Sequence, residues 1–198
     1  MVRSDLSQAA DILTQGFYPN VNPIRFFIEK LRTSTSLEST YPQPTTEHEL
    51  FVACLNEKSR TPGKVIAVVE IDNRPTNRPN AFRPYMCNLA VAKDWQRQGI
   101  AQDMICLCEE TVATWATKAD GESSLRVHLK VKEVNDPARK LYERMGYRVE
   151  SNDERDAKTG DVLLLMTKDI DGTVDSPTIG ELLDNNDDDD VEKRQQAR

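Results

Sequence analysis

Apolar residues recur at Leu6, Ala9, Ala10, Leu13 and Phe17, the spacing of one helix face, with Ser4 or Asp5 as the cap. A second helix is predicted from Asn22-Pro23, a cap followed by a first-turn proline, with Ile24, Phe27, Ile28 and Leu31 as its buried face. The Ser/Thr/Pro-rich stretch Thr33 to Thr46 reads as a loop. Glu49–Leu55 and Lys64–Asp72 flank Pro62-Gly63 and read as an antiparallel pair. Asn73 to Pro84, rich in Pro and Asn, reads as a mobile loop before a strand at Tyr85–Val91. Gln98 to Lys118 is a long helix with Ile100, Met104, Leu107, Thr111 and Trp115 along one face. Leu125–Val131 alternates Leu125, Val127, Leu129 and Val131 against Arg126, His128 and Lys130, the pattern of a half-buried strand. A short helix, Asp136 to Met145, is stopped by Gly146, and Tyr147–Glu150 and Val162–Lys168 complete the strands. The apolar pattern ends after Ile170. Antiparallel strands combined with two helical crossovers define an α+β fold.

Composition narrows the function. The 198 residues carry a formal charge of −7. Residues 171–198 hold nine acids against three bases, so most of that charge belongs to an acidic tail, read as disordered and solvating. The predicted layout is one domain over 1–170 and a tail over 171–198. A body near neutrality argues against a nucleic-acid binder. No run approaches 18 apolar residues, so no membrane helix is expected. Met1 to Asp5 lacks an apolar leader, which predicts a cytoplasmic protein, or a plastid stromal one after removal of a transit peptide. The four cysteines form no CxxC pair and there are two histidines, so no metal is expected.

Two segments carry chemistry. Cys87 to Ala101 runs from strand through a short loop and a glycine into a helix. A helix start offers unpaired N–H groups and partial positive charge. Gly99 lets the backbone approach a ligand, Ala101 is small, and Arg97 supplies a donor fork for phosphate. The result is an anion cradle without the lysine of a Walker loop and without GxGxxG. In the second segment, Asn135 to Tyr147, Asp136 caps a helix and Pro137 takes its first position. Tyr142 follows Asn135 by almost two turns, so both project to one side about 10 Å apart. An amide and a phenol so placed can follow a long, thin ligand. Packing beside Ala138, Leu141 and Met145 is the competing reading of Tyr142.

Together the two segments resemble the GNAT superfamily of N-acetyltransferases. Gln96-x-x-Gly99-x-Ala101 is similar to the family's Q/R-x-x-G-x-G/A loop, and Asn135 to Gly146 to its N-x-x-A-x-x-x-Y-x-x-x-G motif. The strand Asn88-Leu89-Ala90-Val91 looks most like cyanobacterial and plant-plastid members. The resemblance implies a mixed, mostly antiparallel sheet of about seven strands, splayed between the fourth and fifth and flanked by about four helices. It implies acetyl-CoA as co-substrate. Backbone groups of Leu89, Ala90 and Val91 would pair with the pantetheine, N–H groups of Arg97, Gln98, Gly99, Ile100, Ala101 and Gln102 would hold the pyrophosphate, and Asn135, Asp136 and Pro137 would contact the pantetheine arm. Tyr142 would be the general acid at the sulfur, and the Val91 N–H would hold the oxyanion.

The implied reaction is direct acetyl transfer to an amine, on protein N-termini or lysines, or on a small amine or polyamine. A non-catalytic acyl-CoA-binding module is the reading from a different class. The base is open among Glu70, Glu133, His128 and water. Where some relatives carry histidine this chain has Lys130. His48 reads as loop or strand-edge surface, Glu70 and Glu133 as solvated acids, and Cys87 as a small packed residue. The first two helices and the Asn73–Pro84 loop, made basic by Arg74, Arg78 and Arg83, would build the acceptor site.

Overall fold

A computed structural model describes residues 3–40, 47–55, 63–74, 83–118, 125–157 and 159–170. Arg78 and the tail from Asp171 lie outside them. The described elements are α1 (Arg3–Phe17), α2 (Pro23–Thr40), β1 (His48–Leu55), β2 (Lys64–Asp72), β3 (Tyr85–Val91), a 3-10 turn at Lys93–Trp95, α3 (Ile100–Lys118), β4 (Leu125–Lys132), α4 (Asp136–Arg144), β5 (Arg148–Arg155) and β6 (Val162–Ile170). The six strands form one sheet in the order β1-β2-β3-β4-β6-β5. The α+β class and four helices agree with the sequence reading. The sheet has six strands among the described residues, and its irregularity falls between the third and fourth in chain order.

The core forms on both faces of the sheet, because strand alternation sends apolar residues of β2 and β3 to opposite sides. On one face Ala67, Val69, Ile71, Val127, Leu129 and Met166 meet α3 and α4. On the other, Val65, Val68, Ala90 and Leu50 meet Leu6, Ala9, Ala10 and Leu13 of α1. Each fully buried aliphatic side chain contributes roughly 1.5–3 kcal/mol. In α3 the buried residues are Met104, Ile105, Cys108, Val112, Ala113 and Trp115, so the inward face is rotated from the one predicted through Leu107 and Thr111.

Helix boundaries and one helix face differ from expectation. α1 begins at Arg3, so Ser4 and Asp5 lie in its first turn rather than ahead of it. α2 continues to Thr40 through the stretch read as a loop, because buried Leu37 anchors its last turns. Its predicted face is reversed: Ile24, Phe27, Ile28 and Leu31 point to solvent, while Glu29 and Leu37 are buried. The start of α2 is as predicted, with Asn22 Oδ1 accepting from the Arg25 N–H at 2.9 Å.

Candidate active site

β3 and β4 are the only parallel neighbours in the described sheet, and they share one register pair, Tyr85↔His128. At that end the His128 N–H donates to the Pro84 carbonyl at 2.9 Å. Beyond it the strands part. On its other side β3 stays paired with β2 through Ala67↔Val91 and Val68↔Ala90. The Ala92 N–H donates to the Ile66 carbonyl at 2.8 Å. N–H and C=O groups alternate between strand edges, so Val91 and Leu89 direct theirs into the gap. Ala90 directs its groups to β2, which corrects the expectation that all three residues present backbone to a ligand.

The gap opens into a cavity of about 510 Å³. Leu89, Ala90 and Val91 line one wall, Asn135, Pro137 and Tyr142 another, and Arg97, Gly99, Ile100, Ala101 and Gln102 the end. Eleven of the thirteen residues singled out from sequence thus converge. Gln98 and Asp136 do not line it: the Gln98 amide donates to the Asp94 carbonyl and Asp136 pairs with Arg139 at 2.9 Å. Seven further lining residues, Gly16, Phe17, Trp95, Gln96, Ala138, Leu141 and Arg144, were not among those thirteen. Gln96 and Ala138 stand in the two motifs, and Arg144 carried a signal of its own, an exposed base two residues beyond Tyr142. The lining contains Arg97 and Arg144 and, among the described residues, no carboxylate, which suits a polyanion.

The phosphate end is built by backbone. Arg97 (φ 66°) and Gly99 (φ 88°) are both left-handed, and α3 starts at the next residue. Left-handed residues ahead of a helix turn successive N–H groups inward as an anion-binding concavity. A Cβ on Gly99 would meet nothing within 4 Å, so the glycine is required by its φ and its open side faces free space. The Gln102 N–H already donates to the Gly99 carbonyl at 2.7 Å, leaving the cradle to the residues before it. Gln96 ties the loop to the strand, its amide donating to the Val91 carbonyl at 3.0 Å.

At the other wall Asn135, not Asp136, caps α4, its Oδ1 accepting from the Ala138 N–H at 3.4 Å. Gly146 (φ 89°) ends the helix: its N–H donates to the Glu143 carbonyl at 3.1 Å, and the Tyr147 N–H to the Tyr142 carbonyl at 3.0 Å. This pair of bonds closes the helix with a left-handed residue and fixes the turn that carries Tyr142. Tyr142 packs edge-on against Tyr147, centroids 5.8 Å apart, and lines the cavity. Tyr142 thus belongs to the core packing and to the cavity wall at once. Burial, with Tyr85, Cys108 and Cys87 nearby, pushes its phenol well above the usual tyrosine range.

The acid–base candidates separate. Glu70 and His48 are buried rather than solvated, with His48 Nε2 2.7 Å from Glu70 Oε1 and Asn88 Nδ2 2.6 Å from Glu70 Oε2. Burial pushes the Glu70 carboxyl up, but those hydrogen bonds overcome it and hold it below the usual range, making it a weak base. Glu133 is exposed in the turn after β4. His128 is half-buried, with Nδ1 3.3 Å from the Pro84 carbonyl, and burial lowers its pKa. Lys130 pairs with Glu154. Cys87 is half-buried and its thiol is pushed up by burial and by Glu70, so it is no thiolate nucleophile. Arg74 and Arg83 do not make a free basic loop. Arg74 Nε lies 2.9 Å from Asp72 Oδ1, and Arg83 lies 3.7 Å from the same carboxylate. Among the described residues no cluster of His, Cys, Asp and Glu could hold a metal ion, and no described helix is long and apolar enough to cross a membrane.

A parted sheet meeting an anion cradle and a buried phenol fits an acyl-CoA-dependent transferase. The family described as "Acetyltransferase (GNAT) domain" matches residues 46–149, more than half of the chain, and the protein belongs to it. It is thus an acetyltransferase of the family that uses acetyl-CoA. No curated protein matches the chain. Among solved structures, a GNAT-family acetyltransferase from Streptococcus pneumoniae is similar at 16% identity and TM-score 0.60, over 86% of this chain and 96% of that one. A Corynebacterium glutamicum structure titled histone acetyltransferase HPA2 and related acetyltransferase gives 16% and 0.58, over 90% and 96%. The Escherichia coli ribosomal-protein-S18-alanine N-acetyltransferase gives 17% and 0.51, over 73% and 81%. These likenesses are of fold.

Proposed function

We propose that this enzyme moves the acetyl group of acetyl-CoA directly to the primary amine of a polypeptide, an N-terminal α-amine or a lysine ε-amine. The observation that carries the transfer is the gap between β3 and β4, with the Leu89 and Val91 backbone on one wall and the Tyr142 phenol on the other. The fit to the co-substrate rests on the cradle and on a lining with two arginines and no described acid. Arg97 to Ala101 would bind the pyrophosphate, Leu89 and Val91 the pantetheine amides, and Asn135 the arm opposite. As the amine nitrogen bonds to the acetyl carbon, the Val91 N–H stabilises the oxyanion. The carbon–sulfur bond then breaks, the amine proton leaves to solvent, and Tyr142 hydrogen-bonds the thiolate. A thiolate of pKa near 8.5 is less basic than a buried tyrosinate, so Tyr142 stabilises by hydrogen bonding more than by full proton transfer.

A polypeptide acceptor is favoured by exposed apolar side chains on α1 and α2, one of them at the cavity. Phe17, 56% exposed, stands on its rim, and the outward stripe of α2 exposes Phe27 at 60% and Leu31 at 51%. Exposed apolar side chains suit the side chains of a polypeptide more than a small polar amine. Incubation with acetyl-CoA and panels of peptides and polyamines, read by intact-mass spectrometry, tests this. Acetylated peptides support the reading. Acetylation of the polyamines alone replaces the acceptor class, and acetylation of neither overturns the transfer.

A further inference from the structure

Glu70 lies outside the cavity lining, yet it joins the three strands that lead into the gap. One carboxylate oxygen meets His48 of β1 and the other meets Asn88 of β3, at 2.7 and 2.6 Å. A carboxylate held below its usual pKa carries no proton, so both bonds are donated to it, and neither oxygen is presented to an acceptor amine. The Glu70 and His48 side chains are 11% and 3% exposed. At this point β3 carries one residue more than β2: Val68 pairs with Ala90, whereas Glu70, two residues on, pairs with Cys87, three residues back. Asn88 within that bulge is left-handed, φ 54°. An extra residue reverses which backbone groups face each edge of the strand beyond it. The bulge thus decides that Leu89 and Val91, rather than Ala90, address the gap.

We propose that Glu70 is a positioning residue for acetyl-CoA: by holding the Asn88 amide it fixes the β3 bulge and so aims the Leu89 and Val91 backbone into the β3–β4 gap. This rests on the reading that the gap receives acetyl-CoA. His48 completes the clamp from β1 and keeps the carboxylate turned toward Asn88.

The test measures coenzyme A affinity by calorimetry and steady-state kinetics in four variants of the full chain. Glu70→Ala is expected to weaken coenzyme A binding and raise the KM for acetyl-CoA about tenfold, the scale of one hydrogen bond to a charged group, with a smaller change in kcat. Glu70→Gln, which can still accept from Asn88 and donate to His48, restores most of that loss. Asn88→Ala, which keeps a side chain in a left-handed backbone and loses the bond, reproduces Glu70→Ala, whereas Asn88→Gly, free to adopt that φ, is milder. If Glu70→Ala does not fold, the Asn88 pair decides. Glu70→Gln lowering kcat as far as Glu70→Ala at unchanged KM would make the carboxylate a base and overturn the proposal. So would wild-type affinity in Asn88→Ala, or equal losses in the two Asn88 variants. Absence of coenzyme A binding by the unmodified protein would instead sink the functional reading beneath it.

Discussion

Tyr142 belongs to the core and to the cavity at once. The residue is 9% exposed, its ring packs on Tyr147, and it lines the site. Tyr142→Phe keeps the packing and removes the hydroxyl. It is expected to lower kcat roughly 10²–10⁴-fold with little change in the KM for acetyl-CoA. Because burial keeps the phenol above its usual range, loss of its proton should not limit the wild-type pH–rate profile below about pH 10. Unchanged turnover in purified, folded Tyr142→Phe would remove the phenol from the chemistry. Gly99 isolates a different cause. Gly99→Ala meets no neighbour within 4 Å but must hold φ 88°, so strain of about 1–2 kcal/mol falls on the cradle and coenzyme A affinity should drop about tenfold.

At the scale of elements, the sequence showed the strands of the site and placed both helix starts to within two residues, because alternation and capping are local. It did not show the face of α2. Helical periodicity reveals that an apolar stripe exists, not what it faces. Here the inward side is satisfied by polar contacts, with Lys30 2.5 Å from Asp11 and Glu29 3.1 Å from Arg32. Nor did it show His48 meeting Glu70, 22 residues apart, since only the β1–β2 register brings them together. The same pairing sets a pH dependence. The folded Glu70 pKa is below its ordinary value of 4.5, so its contribution to stability is present above that pH and is lost as pH falls through the folded value. Thermal melts should show a steeper loss of Tm below about pH 4.5 in wild type than in Glu70→Gln. Parallel curves would mean the carboxylate adds nothing to the fold.

The whole molecule divides its labour across the sheet. One face, under α3 and α4, forms the larger core and supplies Tyr142. The other is covered by α1 over β1 to β3, while on β4 it presents Arg126, Lys130 and Lys132 paired with Asp169, Glu154 and Asp161. The outward apolar stripe of α2 lies on that second side. Replacing Phe27 and Leu31 together by Asp should raise the KM for a protein acceptor several-fold and leave that for acetyl-CoA unchanged, because both side chains are solvent-facing. An equal KM for the acceptor would detach the stripe from substrate binding. The claim beneath all of this is that the opening between β3 and β4 is where acetyl-CoA lies. Amide hydrogen exchange with and without coenzyme A tests it most directly. Protection should gather at Leu89, Val91 and Arg97 to Ala101, with little at β5 and β6. Exchange unaltered at those amides in the presence of saturating coenzyme A would contradict the account.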